Sequence, residues 1–154
     1  MMKLRTLAQL LFLFASSFAL SLPAAAADSP IGSWVKNSPS GKLEITLTIE
    51  AWGPGKGKLT YRFKGMDTVM TIVSALDGKD APVIVNGKPS GETMAIKLID
   101  KYHSTTVVKM DGKPFGTSKG TFSDDFKTIT VENEFSASVG GNPAGKSTEV
   151  WVRK

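Results

Sequence analysis

His103, in the run Asp-Lys-Tyr-His-Ser (100–104), is the single histidine of the chain, and there is no cysteine. Those two facts remove much of the chemistry open to a small protein. A histidine-based triad or zinc site lacks its partners, and thiolate nucleophiles, thiolate metal sites and disulfides are excluded. The polar turn around His103 reads as a solvated histidine. Asp77 with Asp80, and Asp124 with Asp125, sit in turn-forming runs, whereas a calcium loop needs further oxygen ligands at alternate positions. Glu132 and Glu134 share one strand face, and a glycosidase pair would have to converge on a bond from separate elements. No serine stands in a Gly-x-Ser-x-Gly elbow or a lysine-paired motif. The Gly-Lys pairs in SGK (40–42), GPGKGK (53–58), DGK (77–79), NGK (86–88), DGK (111–113) and AGK (144–146) lack the strand, long glycine loop and helix start of a phosphate site. The chain therefore reads as non-catalytic, with no metal and no cofactor.

The elements around these residues are strands. In LEITLTIEA (43–51), Leu43, Ile45, Leu47, Ile49 and Ala51 alternate with Glu44, Thr46, Thr48 and Glu50. KLTYRFK (58–64) and KTITVENEF (127–135) repeat the pattern. A period of two, rich in β-branched and aromatic residues, marks strands with one wet face, and no window carries a helical period. Asp-Gly and Asn-Gly pairs between the runs suit tight hairpins, whose central residues take positive φ. The pattern predicts strands near 32–37, 43–52, 57–65, 68–76, 81–85, 93–99, 104–110, 115–122, 127–135 and 147–153. The fold class is all-β: an antiparallel up-and-down meander of eight to ten strands, closed into a barrel because closure removes both edges.

The first residues read as an export signal. Lys3 and Arg5 precede an apolar run from Leu10 to Leu22, and PAAAADS (23–29) offers the small residues that a signal peptidase reads. The run is short for a membrane span, and Pro23 follows it. We expect a signal peptide over 1–27, one barrel domain over 28–154, and a periplasmic or secreted product. The formal net charge of +5 includes Lys3 and Arg5, and the remaining lysines are scattered, which argues against nucleic acid as a partner. A membrane barrel also alternates, but aromatic girdles are missing and the Glu44-Thr46-Thr48-Glu50 face would have to line a lumen. The chain thus reads as not membrane-embedded.

Gly32-Ser33-Trp34 on the first strand and Arg153 on the last, in EVWVRK (149–154), resemble the ends of lipocalin and calycin barrels. The ordered pieces GSWVKN, LTIEAWGPG, ALDGKDAPV, MAIKLID, KMDGKPFGTSKGTFSDDFKTITV and EVWVRK are similar to those of small secreted bacterial lipocalin-like proteins. The resemblance implies that Trp34 closes the barrel floor and that Arg153 packs across its ring in a cation–π contact. The helix after the barrel in true lipocalins, and the helical lid of fatty-acid-binding barrels, have no counterpart in the pattern.

Inside such a barrel the apolar faces put Ile45, Leu47, Leu59, Tyr61, Phe63, Ile129 and Val131 on the wall of any ligand site, where they also serve as core. These faces carry no charge, so apolar burial alone should hold a ligand, with micromolar or weaker affinity. Trp52 falls on the polar face of its strand and reads as a rim aromatic or a loop cap. Met66, Met70, Met94 and Met110 offer adaptable apolar surface or plain core filling. If several of Lys42, Lys58, Lys79, Lys88 and Lys113 share the open rim, they would draw an anionic head group, and affinity would fall with salt. Two functions follow: a binder of a small apolar or lipid-like molecule, or a protein-interaction module such as a periplasmic inhibitor of a cell-envelope enzyme.

Overall fold

The computed structural model describes residues 28–37, 41–138 and 143–154, and the expected signal peptide over 1–27 lies outside them. Ten strands follow one another: β1 (Gly32–Asn37), β2 (Glu44–Gly53), β3 (Lys56–Phe63), β4 (Val69–Ser74), β5 (Asp77–Val85), β6 (Lys88–Leu98), β7 (His103–Met110), β8 (Lys113–Phe122), β9 (Thr128–Phe135) and β10 (Gly145–Arg153). Each pairs antiparallel with its sequence neighbours, and β1 pairs with β10 to close the barrel. The meander alternates between two ends. The described residues before β1, the β2–β3, β4–β5, β6–β7 and β8–β9 connections and Arg153 lie at one end, the floor; the β3–β4, β5–β6 and β7–β8 connections lie at the other, the mouth.

The period of two explains the packing. Ile45, Leu47 and Ile49 of β2 and Leu59 of β3 are buried. The intervening residues form an outer ladder in which Thr46 faces Arg62 and Thr48 faces Thr60. Exposed Lys58–Glu50 and Lys64–Glu44 pairs, at 3.1 and 3.4 Å, extend that ladder, and such pairs add little stability. Among the described residues no helix is long and apolar enough to cross a membrane.

Two of the glycine turns form as their sequence dictates. Asn86-Gly87 (φ 49° and 80°) and Asp111-Gly112 (φ 48° and 78°) carry positive φ at both central residues of their hairpins. DGK at 77–79 does not. The chain reverses just before it, with Leu76 itself at φ 55°, and Asp77 begins β5 across a register shift between Asp77 and Asp80. Leu76 is buried, and its side chain occupies the space that a Cβ on Gly57 would need. Burying a leucine is worth about 1.5–3 kcal/mol, enough to offset the strain of a left-handed leucine, about 1–3 kcal/mol. Packing thus outweighs the Asp-Gly turn preference.

The floor explains the Gly-x-Trp. Trp34 is fully buried, and its Nε1 donates to the Pro30 carbonyl at 3.1 Å. The Arg153 guanidinium lies 5.0 Å from the centre of the Trp34 ring. Arg153 also donates to the carbonyls of Ser29 (3.0 Å), Phe126 (3.2 Å) and Ile31 (2.5 Å), tying the last strand to the segment before the first. Gly32 sits at φ 145°, and a Cβ there would come within 2.8 Å of Arg153 Nη2, so only glycine leaves room for the guanidinium. Phe122 and Phe126 complete the layer, with Phe122 5.7 Å from Trp34 and 5.8 Å from Phe126 between ring centroids.

Near the mouth, Gly116 on β8 faces Phe135 on β9, and a Cβ there would fall 1.8 Å from Phe135 Cδ1. Gly116→Ala is therefore expected to destabilise by about 1–3 kcal/mol, the usual cost of overpacking. Urea denaturation reads the loss, and Phe135→Leu in the same chain should recover most of it. An unchanged midpoint for Gly116→Ala would show that Phe135 does not lie over this strand.

Candidate functional site

A cavity of about 240 Å³ runs inside the barrel from the floor layer at Phe122 and Trp52 to mouth-end residues such as Phe63, Glu92 and Phe135. Ile45, Leu47, Leu59, Tyr61, Phe63, Ile129 and Val131 all line it. They do so because the barrel turns one face of each alternating strand inward. Met70 and Met94 line it as well, while Met66 and Met110 are exposed near the mouth.

The two halves of the wall differ in chemistry. Strands β2 to β6 present branched aliphatic, aromatic and methionine side chains, with Glu92 of β6 the one charged exception among the described residues. Strands β7 to β10 and β1 add Ser104, Thr106, Ser118, Asn133, Glu149 and Lys36. The expectation of an uncharged interior is therefore corrected. Lys36 is only 7% exposed, forms an ion pair with Glu149, and holds its ammonium 5.0 Å from the Trp151 ring centre. Glu149 Oε1 accepts from Asn133 Nδ2 at 3.3 Å, and Ser118 Oγ donates to Asn133 Oδ1 at 2.7 Å. One connected polar network thus crosses β1, β10, β9 and β8. Burial pulls the Lys36 ammonium down from its ordinary 10.5 to about 8.

Period two carried the signal for both charges. Lys36 shares the face of Trp34, and Glu149 shares the face of Trp151, so inward tryptophans bring charged neighbours inward with them. Glu92 precedes Met94 and Ile96 on the inward row of β6 and also lines the cavity. Burial raises its carboxyl above the usual range. Tyr61, packed edge-on to Trp151 at 5.9 Å, has its phenol pushed up to about 12 by burial, with Glu92 reinforcing the shift.

Trp52 is corrected too. A bulge between Ile49 and Ala51 shifts the parity of β2, so Trp52 turns inward against Phe122 at 5.6 Å. Its Nε1 is buried without a hydrogen-bond partner. Three of the five lysines share the mouth end and two do not. Lys42, Lys88 and Lys113 belong to the mouth end, whereas Lys58 and Lys79 lie towards the floor, because alternate hairpins point to opposite ends.

His103 starts β7 at the floor end, exposed, with Nδ1 2.8 Å from Asp100. Hydrogen bonds from the Tyr102 backbone N–H and the His103 side chain hold the Asp100 carboxyl below its usual range. Asp125 accepts from Ser123 and from the Lys127 N–H, and Asp77 accepts from the Lys79 N–H, as turn aspartates do. Glu132 and Glu134 are exposed on the outer face, with Asn133 between them facing inward. Among the described residues no group of histidine or acidic side chains is arranged to hold a metal ion.

No protein-family model matches the chain, and no curated protein matches it. Among solved structures, a mutant of the fluorescent protein UnaG is similar in fold, with a TM-score of 0.57 over 80% of this chain and 95% of that one, at 14% sequence identity. At that identity the likeness is one of architecture. Together with the closed ten-stranded meander, it shows that this chain has the fold of a calycin-like antiparallel β-barrel.

Proposed function

We propose that the protein is an exported, non-catalytic barrel that holds a small hydrophobic or amphipathic molecule in its interior, as the small secreted bacterial lipocalin-like proteins it resembles would. The cavity carries this reading. A cavity of about 150 Å³ is enough for benzene, and drug-sized pockets begin at about 300 Å³. At about 240 Å³ the barrel suits a compact molecule, such as two or three rings or a medium-length chain. Its divided wall suits an amphipathic one. Export rests on the leader pattern in residues 1–27. The non-catalytic reading rests on the single histidine, which stands outside the cavity lining. The polar outer ladder of β2 and β3 supports a barrel that meets water on its outside and is not embedded in a membrane.

Burying about 200 Å² of apolar ligand surface is worth roughly 5 kcal/mol at ~25 cal/mol per Å², before association costs reduce it. Titration with the neutral fluorophore N-phenyl-1-naphthylamine should therefore saturate at one site per chain with micromolar or weaker affinity. Ile129→Trp and, independently, Leu47→Phe fill part of the cavity and should each weaken binding at least tenfold while the protein stays folded by circular dichroism. Binding that never saturates, or that ignores both substitutions, would overturn the ligand reading and favour a protein-interaction role, such as inhibition of a cell-envelope enzyme.

A further inference from the structure

We propose that the molecule held in the barrel carries a cationic head, a protonated amine, that pairs with Glu92. The inference rests on the ligand reading above and deepens it. Three charged side chains line the cavity: Lys36, Glu149 and Glu92. Lys36 and Glu149 cancel, because they are ion-paired and tied into the Asn133–Ser118 network. The Lys36 ammonium is further occupied by the face of Trp151. Glu92 stands alone: among the described residues its carboxylate has no ion-pair partner, although it is half-buried on the inward row of β6. Lys109 of the adjoining strand β7 lies opposite Thr93, not Glu92, and pairs with Asp80 at 2.8 Å.

The interior therefore holds one net negative charge next to an apolar wall. An anionic head would meet Glu92 and would find Lys36 already held by Glu149. A neutral head would leave the Glu92 carboxylate partly desolvated and unpaired, which is unfavourable. A cation answers that carboxylate, and Tyr61, whose phenol senses Glu92, and Phe63 offer aromatic surface in the same cavity. The body of the molecule would lie along Met70, Met94 and Leu59, where flexible thioethers adapt to its shape.

The test displaces N-phenyl-1-naphthylamine with n-octylamine, n-octanol and n-octanoate, which share one chain and differ in head charge. In the wild-type protein octylamine should bind about tenfold more tightly than octanol, the scale of a charge-assisted hydrogen bond, and octanoate should be weakest. Glu92→Gln should remove the amine advantage, and Glu92→Lys should place octanoate ahead of octylamine. Both variants should keep the wild-type circular dichroism spectrum. An octanoate preference in the wild-type protein, or an amine advantage that survives Glu92→Gln, would overturn the proposal. If octanol binds and octylamine does no better, this inference fails and the ligand reading stands. If none of the three displaces a saturably bound probe, this inference fails and the ligand reading stands; if the probe itself never saturates, both fail.

Discussion

Glu149→Leu is expected to destabilise the barrel by about 3–5 kcal/mol at neutral pH, because it leaves the Lys36 ammonium buried without its counter-ion. Lys36 is 7% exposed, so solvent offers little relief. Replacing both partners, as Lys36→Met with Glu149→Leu, removes the desolvation of two charges together and should be neutral or stabilising by about 1–4 kcal/mol. The sign with pH follows from Lys36, whose folded value of about 8 lies below its ordinary 10.5. Between those values the unfolded chain binds more protons than the folded one, so wild-type stability should rise as pH climbs from about 8 to about 10.5. The double variant should lack that rise. Urea denaturation across this range gives both quantities, and a Glu149→Leu midpoint equal to wild type would mean that the pair is open to water.

Trp34→Ala should cost about 3–5 kcal/mol, the usual loss for a buried aromatic cut to alanine. Trp34 is fully buried in the floor and touches Phe122, so its removal leaves a cavity that the closed strands cannot collapse around. Arg153→Ala should cost less, since its hydrogen bonds are exposed or only partly buried and water can replace part of them. The double variant should show a coupling of about 0.5–3 kcal/mol between the two residues. Additive losses would mean that the guanidinium does not stack on the indole.

The barrel was legible because its signal is local and repeated. Alternation in LEITLTIEA, KLTYRFK and KTITVENEF sets both strand and face, and the sequential hairpins leave one simple way to close the sheet. The inward apolar residues followed from the same pattern. What escaped was parity at its edges. Lys36 and Glu149 stand on the inward rows of Trp34 and Trp151, but a lone charge near a strand end reads as solvated until the network that holds it is known. Trp52 changes face through a bulge, which no alternation rule reports. Leu76 takes a left-handed turn because Gly57, nineteen residues earlier, leaves room for its side chain. Each of these depends on a long-range contact, and long-range contacts are what a local pattern omits. Glu92 was within reach: counting back two from Met94 places it inside.

The most direct test of the account is a methyl-resolved NMR titration of the protein with n-octanol. Saturable shifts are expected in the methyl signals of Ile45, Leu47, Ile129 and Val131, which line the cavity, and unmoved signals for Val73, Val150 and Val152, which are exposed. Shifts confined to the exposed valines, or no saturable shift at the inward methyls, would contradict a barrel that works by holding a molecule inside it.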